Sequence, residues 1–284
     1  SGSFSTQKVA IQRVPQYGAL TIASGGSVVP SPWSDLADLG GGRVATGIVA
    51  LAASTSLTVQ SGGTIDASAA GYRGGASPTY TGPVRQGEWI TGDGAASTAR
   101  SGGGGGGGSH SLGQFSGGGG GGGYGAAGEG GFCDFSGGCG QAGATYGAAA
   151  LEQVFLGAGG GGGSEYCNGC DNDGRGGHGG GAVLLFAESL VVQGTVRANG
   201  EGGRGLNTAS KDGGGGGSGG SVYVRAASAS LGSGLVSASG GARSPGATGG
   251  GSSAGGAGGG GRIAVYYADA LAGSTSPAAY SAQE

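Results

Sequence analysis

Of 284 residues, 81 are glycine, 10% are charged and none is methionine, which places the chain outside the ordinary globular range. Only seven prolines, with the glycines in blocks instead of a Gly-X-Y repeat, exclude collagen. A net charge of -3, with 13 Lys+Arg that do not cluster, implies neither nucleic acid nor an anionic membrane surface as partner; no apolar window approaches a membrane span.

Residues 1–30 differ in composition from the rest and read as an extended N-terminal arm. Val9 and Ile11 share one face, a turn follows at residues 15–18, and Leu20 and Ile22 come after it. These β-compatible residues have no evident repeat partner in the chain, so the arm is expected to add as a strand to a neighbouring copy. The chain begins at Ser1 and shows no basic, apolar leader, which favours a processed and exported protein.

Residues 31–284 read as one domain built on a repeat. The passages SLTVQSGGTIDASAAG, SLVVQGTVRANGEGG and SLGSGLVSASGG each contain an apolar strand, a glycine turn and a second short strand. Upstream of each lies another β-rich segment, at residues 48–51, 183–186 and 222–224, with residues 263–267 as a truncated fourth copy. Val183 and Val222 are 39 residues apart and Val222 and Ile263 are 41 apart, so the period is about 40 and the units should stack. Each unit is expected to be strand, hairpin-like turn, strand, then a glycine-rich excursion. The excursions occupy residues 200–220 and 240–261, and an insertion at about residues 76–180 enlarges one of them.

Within that insertion lie unbroken glycine runs at residues 102–108, 117–123 and 159–163. Such runs are either disordered or form extended helices with three residues per turn, packed side by side because no Cβ separates their backbones. The packed form is expected; at about 3.1 Å per residue a seven-glycine run would span ~22 Å. Only residues 148–156 look helical, for a turn or two. The expected fold class is therefore all-β with polyglycine II helices: a layered or solenoid-like β core plus a glycine-helix bundle, with very little α.

Four cysteines, Cys133, Cys139, Cys167 and Cys170, fit two disulfides in an exported chain, and three pairings are open. A four-thiolate zinc site and free thiols are the rivals; the Cys133 to Cys139 spacing suits a zinc knuckle poorly. Asp171 and Asp173 resemble the start of a calcium loop. The pattern then fails at Arg175 and Ala182, and a turn is the better reading. His110 and His178 lack an identifiable nucleophile and orienter, and Ser218 matches a nucleophile-elbow pattern only because glycine is everywhere. No enzyme and no cofactor are expected. Phe115, Tyr124, Phe132, Phe135, Tyr146, Phe155 and Tyr166 punctuate the glycine-rich region. They are expected to plug the edges of a glycine lattice or to cement subunits, with carbohydrate stacking as the functional rival.

The glycine blocks resemble, in composition, those of polyglycine II proteins such as springtail-type antifreeze proteins, phage tail-fibre adhesin tips and the glycine-rich domain of certain receptor kinases. The unit carried by VLLFAESLVVQGTVRANGEGG, GGGGGSGGSVYVRAASASL and GGGGRIAVYYAD is similar to glycine-rich repeats of large secreted or surface proteins of myxobacteria and related environmental bacteria. This resemblance implies an extracellular structural or adhesive role and brings no catalytic residues. The expected function is a secreted subunit that self-assembles into an extracellular filament or matrix fibre, with copies of itself as partners. An adhesin tip binding a surface glycan is the competing expectation. Ice binding ranks third, since the threonines are scattered and form no regular array.

Overall fold

The structure is a computed structural model and describes residues 13–33, 46–77, 84–91, 94–108, 117–133, 138–164, 174–205, 212–244 and 254–284. Among the described residues Val, Leu and Ile alternate with Ala, Ser and Thr along nine strands: β1 (Gln16–Ile22), β2 (Ser27–Val28), β3 (Ile48–Val59), β4 (Thr64–Asp66), β5 (Ala182–Val192), β6 (Thr195–Arg197), β7 (Ser221–Ser237), β8 (Arg262–Ser276) and β9 (Tyr280–Gln283). Period-two alternation buries Val183, Leu185, Val222 and Val224 on one side of β5 and β7, while residues 49–53 of β3 are buried on both sides. No helix occurs among the described residues, and therefore none long and apolar enough to cross a membrane.

Every strand pairing is parallel, and each strand pairs with its equivalent in the next repeat. A unit's long strand and its short strand do not pair with each other. The hairpin-like turn expected from the sequence is instead an arc that carries the chain from one face of a coil to the other. The path β1-β3-β5-β7-β6-β4-β2 makes one sheet that nearly closes on itself, because β7 is long enough to serve both faces. Val183, Val222 and Ile263 occupy one row, as the 40-residue period predicts, and Val49 joins it across the insertion. Inside the coils Leu51, Leu185, Leu190, Val192 and Val224 meet Ile65, Val196 and Val236 from the opposite face.

Two further expectations are corrected. Leu20 and Ile22 were expected to lack a partner within the chain, yet they pair with Leu57 and Val59 of the chain's own β3, so β1 and β2 form the first coil. Residues 148–156 form turns and extended chain, not helix; Leu151 has φ +52°, a left-handed conformation that a right-handed helix cannot contain.

The glycine runs form a lattice with a three-residue repeat. Gly119 and Gly122 donate their N–H groups to the carbonyls of Gly213 and Gly216, both at 2.9 Å. Gly118 and Gly121 donate to Phe132 and Glu129, and Gly120 and Gly123 to Gly106 and Gly103, at 2.8–2.9 Å. The same run accepts from Gly256 and Gly259, from Gly140 and Gly143, and from Gly161. Six chain segments thus surround residues 118–123, and successive N–H groups turn to successive neighbours. Every glycine of residues 103–108, 117–123 and 159–163 is buried and none has a positive φ. Intersegment bonds are obligatory here, since buried backbone polar groups need partners and these glycines find theirs on neighbouring segments. The excursions of successive coils stack with the period of the strands, Gly216 to Gly256 and Gly219 to Gly259, so lattice and sheet share one axis.

Candidate functional site

Aromatic side chains seal the joint between lattice and sheet. Tyr124 is fully buried at the end of the central glycine run, 4.6 Å from the ring of Tyr146, which meets Phe155 and Trp89 edge-on at 5.8 and 5.9 Å. Residues 146–156 cross the outer face of the sheet and are held there by side chains of β7 and β8. Ser221 Oγ donates to the Phe155 carbonyl at 2.6 Å, Tyr266 to Ala150 at 2.7 Å, and Arg262 to Tyr146 at 2.8 and 3.1 Å. Burial pushes the phenols of Tyr72 and Tyr146 well above their usual range, so both stay protonated. Tyr146 accordingly donates to Leu156 at 2.6 Å. Tyr124, Tyr146 and Phe155 therefore do plug a lattice edge. Phe132 lies on the surface beneath Arg243, and Phe115, Phe135 and Tyr166 lie outside the described residues.

The buried Glu88 is satisfied: Trp33 Nε1 donates to Oε1 at 3.3 Å, and the Arg73 backbone N–H and Nε donate to Oε2 at 2.9 and 3.1 Å. This ties residues 84–91 to the first two coils, which nothing in the local sequence announces. Ser218 is buried with its Oγ accepting from the Ala158 N–H, a structural position. His178 lies 3.8 Å from Glu201, which also pairs with Arg204 at 3.0 Å. Burial lowers the His178 pKa despite the attraction of Glu201, with Arg175 and Arg204 acting in the same direction as burial. Burial would raise the Glu201 pKa, but the His178 N–H and Arg204 together hold it low. Cys133 and Cys139 form a disulfide. Cys167, Cys170, Asp171, Asp173, His110, Val9 and Ile11 lie outside the described residues.

The remaining feature is the pair of ends of the coil stack. At one end β1 is exposed along Gln16, Tyr17, Gly18, Ala19 and Thr21. The Ile22 carbonyl accepts from Gln60, so both polar groups of Ile22 face β3; in a parallel ladder those of Thr21 then face away from it. At the other end β9 covers only Ala264 to Tyr267 of β8, and the later part of β8 is exposed. Among the described residues, three of the four exposed large hydrophobic side chains lie at these ends: Tyr17 (41%) and Val29 (65%) beside the first coil and Tyr280 (42%) on the last strand. The arrangement offers strand edges and apolar side chains together, which is the chemistry of strand addition.

No protein-family model, no curated protein and no solved structure matches the chain.

Proposed function

We propose that this protein is a secreted structural subunit that stacks end to end into an extracellular filament, and that its glycine runs are polyglycine II helices bundled along the filament. The observation that carries this reading is the pair of exposed, apolar-rimmed parallel edges. Because every strand runs in the same direction, translation along the stack axis brings β1 of one copy beside β8 and β9 of the next with matching polarity. Such a head-to-tail contact does not close on itself, and open contacts of this kind generate filaments. The disulfide between Cys133 and Cys139 supports an oxidising, extracellular location. Three-fold rotation of hydrogen-bond partners along residues 118–123 supports the polyglycine II assignment.

The test is electron microscopy and sedimentation of the purified protein beside Thr21→Pro. Proline removes an outward N–H without touching a bond to β3, a change that edge strands tolerate. Fibres from the wild type and a folded, non-polymerising Thr21→Pro variant are expected. Wild type that stays monomeric at high concentration, or a variant forming fibres of undiminished length, overturns the reading.

A further inference from the structure

A groove of about 580 Å³ runs along the stack axis on the sheet face, crossing β1, β3, β5, β7 and β8 from Gln16 to Tyr267. It follows a line where the ladders break register, between Tyr17 and Ala19, between Ala52 and Ser56, and between Ala226 and Ser228. Stacked irregularities at one level bend the strands locally, and the groove lies along that line. Four strand spacings separate β1 from β8, so the groove is roughly 19 Å long. Half-buried Phe186 and Tyr267 stand over an alanine floor, with Ser54, Glu188, Arg225 and Glu284 along the walls. Arg225 and Glu284 pair at 2.8 Å and neutralise each other, leaving Glu188 as the remaining charge of the lining.

We infer that this groove binds a linear, uncharged polysaccharide lying along the coil axis. Three features select that ligand. Coils repeat at the strand spacing of about 4.8 Å, which suits a polymer whose own units repeat on that scale. Aromatic rings beside hydroxyl, carboxylate and guanidinium groups are what sugar rings use, an apolar face to stack and hydroxyls to donate and accept. A polyanion is disfavoured, because the single guanidinium is already paired and Glu188 would repel it. A peptide strand would seek the open edges at the ends of the stack, not a trough running across the strands.

The inference is independent of filament formation, and Thr21→Pro serves as the background so that polymerisation does not enter the readout. Titration calorimetry with cellohexaose, laminarihexaose and chitohexaose, each beside its disaccharide, is the experiment. At least one hexasaccharide should bind once per chain and about tenfold or more tighter than its disaccharide, since several coils contribute contacts. Tyr267→Ala and Glu188→Gln should each weaken it, Tyr267→Ala by about tenfold. Glu188 is exposed, so its replacement keeps the test valid if the aromatic variant fails to fold. Absence of binding by all three hexasaccharides overturns the inference. So does unchanged affinity in Glu188→Gln together with any folded Tyr267→Ala, or equal affinity for hexagalacturonate.

Discussion

A Cβ on Gly120 would collide with the carbonyl of Gln141, and one on Gly105 with the carbonyl of Gly120. Both obstacles are backbone held on several sides, so neither can move aside without breaking intersegment bonds. Gly105→Val and Gly120→Val are therefore expected to cost more than about 4 kcal/mol, read as loss of the folded protein in thermal or chemical denaturation. Gly130 is the contrast, since an added Cβ there meets only the Gly140 carbonyl at 3.7 Å. Gly130→Ala should stay within about 0.5 kcal/mol of the wild type. Equal effects at the three positions would show that the runs are not packed as described. His178 supplies a second test at this scale. Its pKa is lowered in the folded state, so below its unfolded value near 6.5 the unfolded chain binds more protons and stability falls with pH. Glu201, whose pKa is also lowered, adds a loss that begins below about 4.5. Melting curves from pH 7.5 to 5 should decline less steeply for His178→Gln than for the wild type.

The crossing segment, residues 146–156, depends on side chains of the sheet beneath it. Ser221 donates to Phe155 and shares a 2.8 Å hydrogen bond with the buried Tyr124 hydroxyl. Ser221→Ala removes the donor to the Phe155 carbonyl and the side-chain partner of the Tyr124 hydroxyl, which keeps its contact with the Phe155 backbone; losing such a buried partner costs about 1–3 kcal/mol. Denaturant titration should show that loss, with at most partial recovery in Ser221→Ala/Tyr124→Phe. The Cys133–Cys139 bond closes a short loop at the edge of the lattice. Short loops gain little from cross-linking, so reduction should lower stability by about 2 kcal/mol or less and leave the coils folded. Peptide mapping without reduction should recover the Cys133–Cys139 link.

Across the whole molecule, cohesion comes from two sources arranged along one axis: apolar rows inside the coils and backbone hydrogen bonds in the glycine lattice. Neither requires charged surface, which accounts for a fold with only 10% charged residues. Both lie along the axis on which copies would stack in the proposed filament. A further edge substitution, Ala19→Pro, alters an exposed β1 residue paired with Ser56 beside the register shift and should block fibre growth as Thr21→Pro is expected to, with an unchanged circular dichroism spectrum. Mixing either variant with wild type should shorten fibres in proportion to its fraction, since each blocked end stops one direction of growth.

Alternation along residues 48–59, 182–192 and 221–237 was enough to determine an all-β fold, and the spacing of Val183, Val222 and Ile263 determined which residues share a row. The first coil was missed, although the likeness of LTIASGGSV to LTVQSGGTI carried its signal: β1 is shorter than the later long strands and the likeness is correspondingly brief. Tertiary structure alone decided whether each glycine turn closes a hairpin or an arc. Both need the same tight turn, and the choice rests on partners about 40 residues away. Tertiary structure alone also decided which glycine run lies beside which. Runs without side chains carry no register information of their own, so their neighbours are set by where the coils deliver their ends and where Tyr124, Tyr146 and Phe155 stop them.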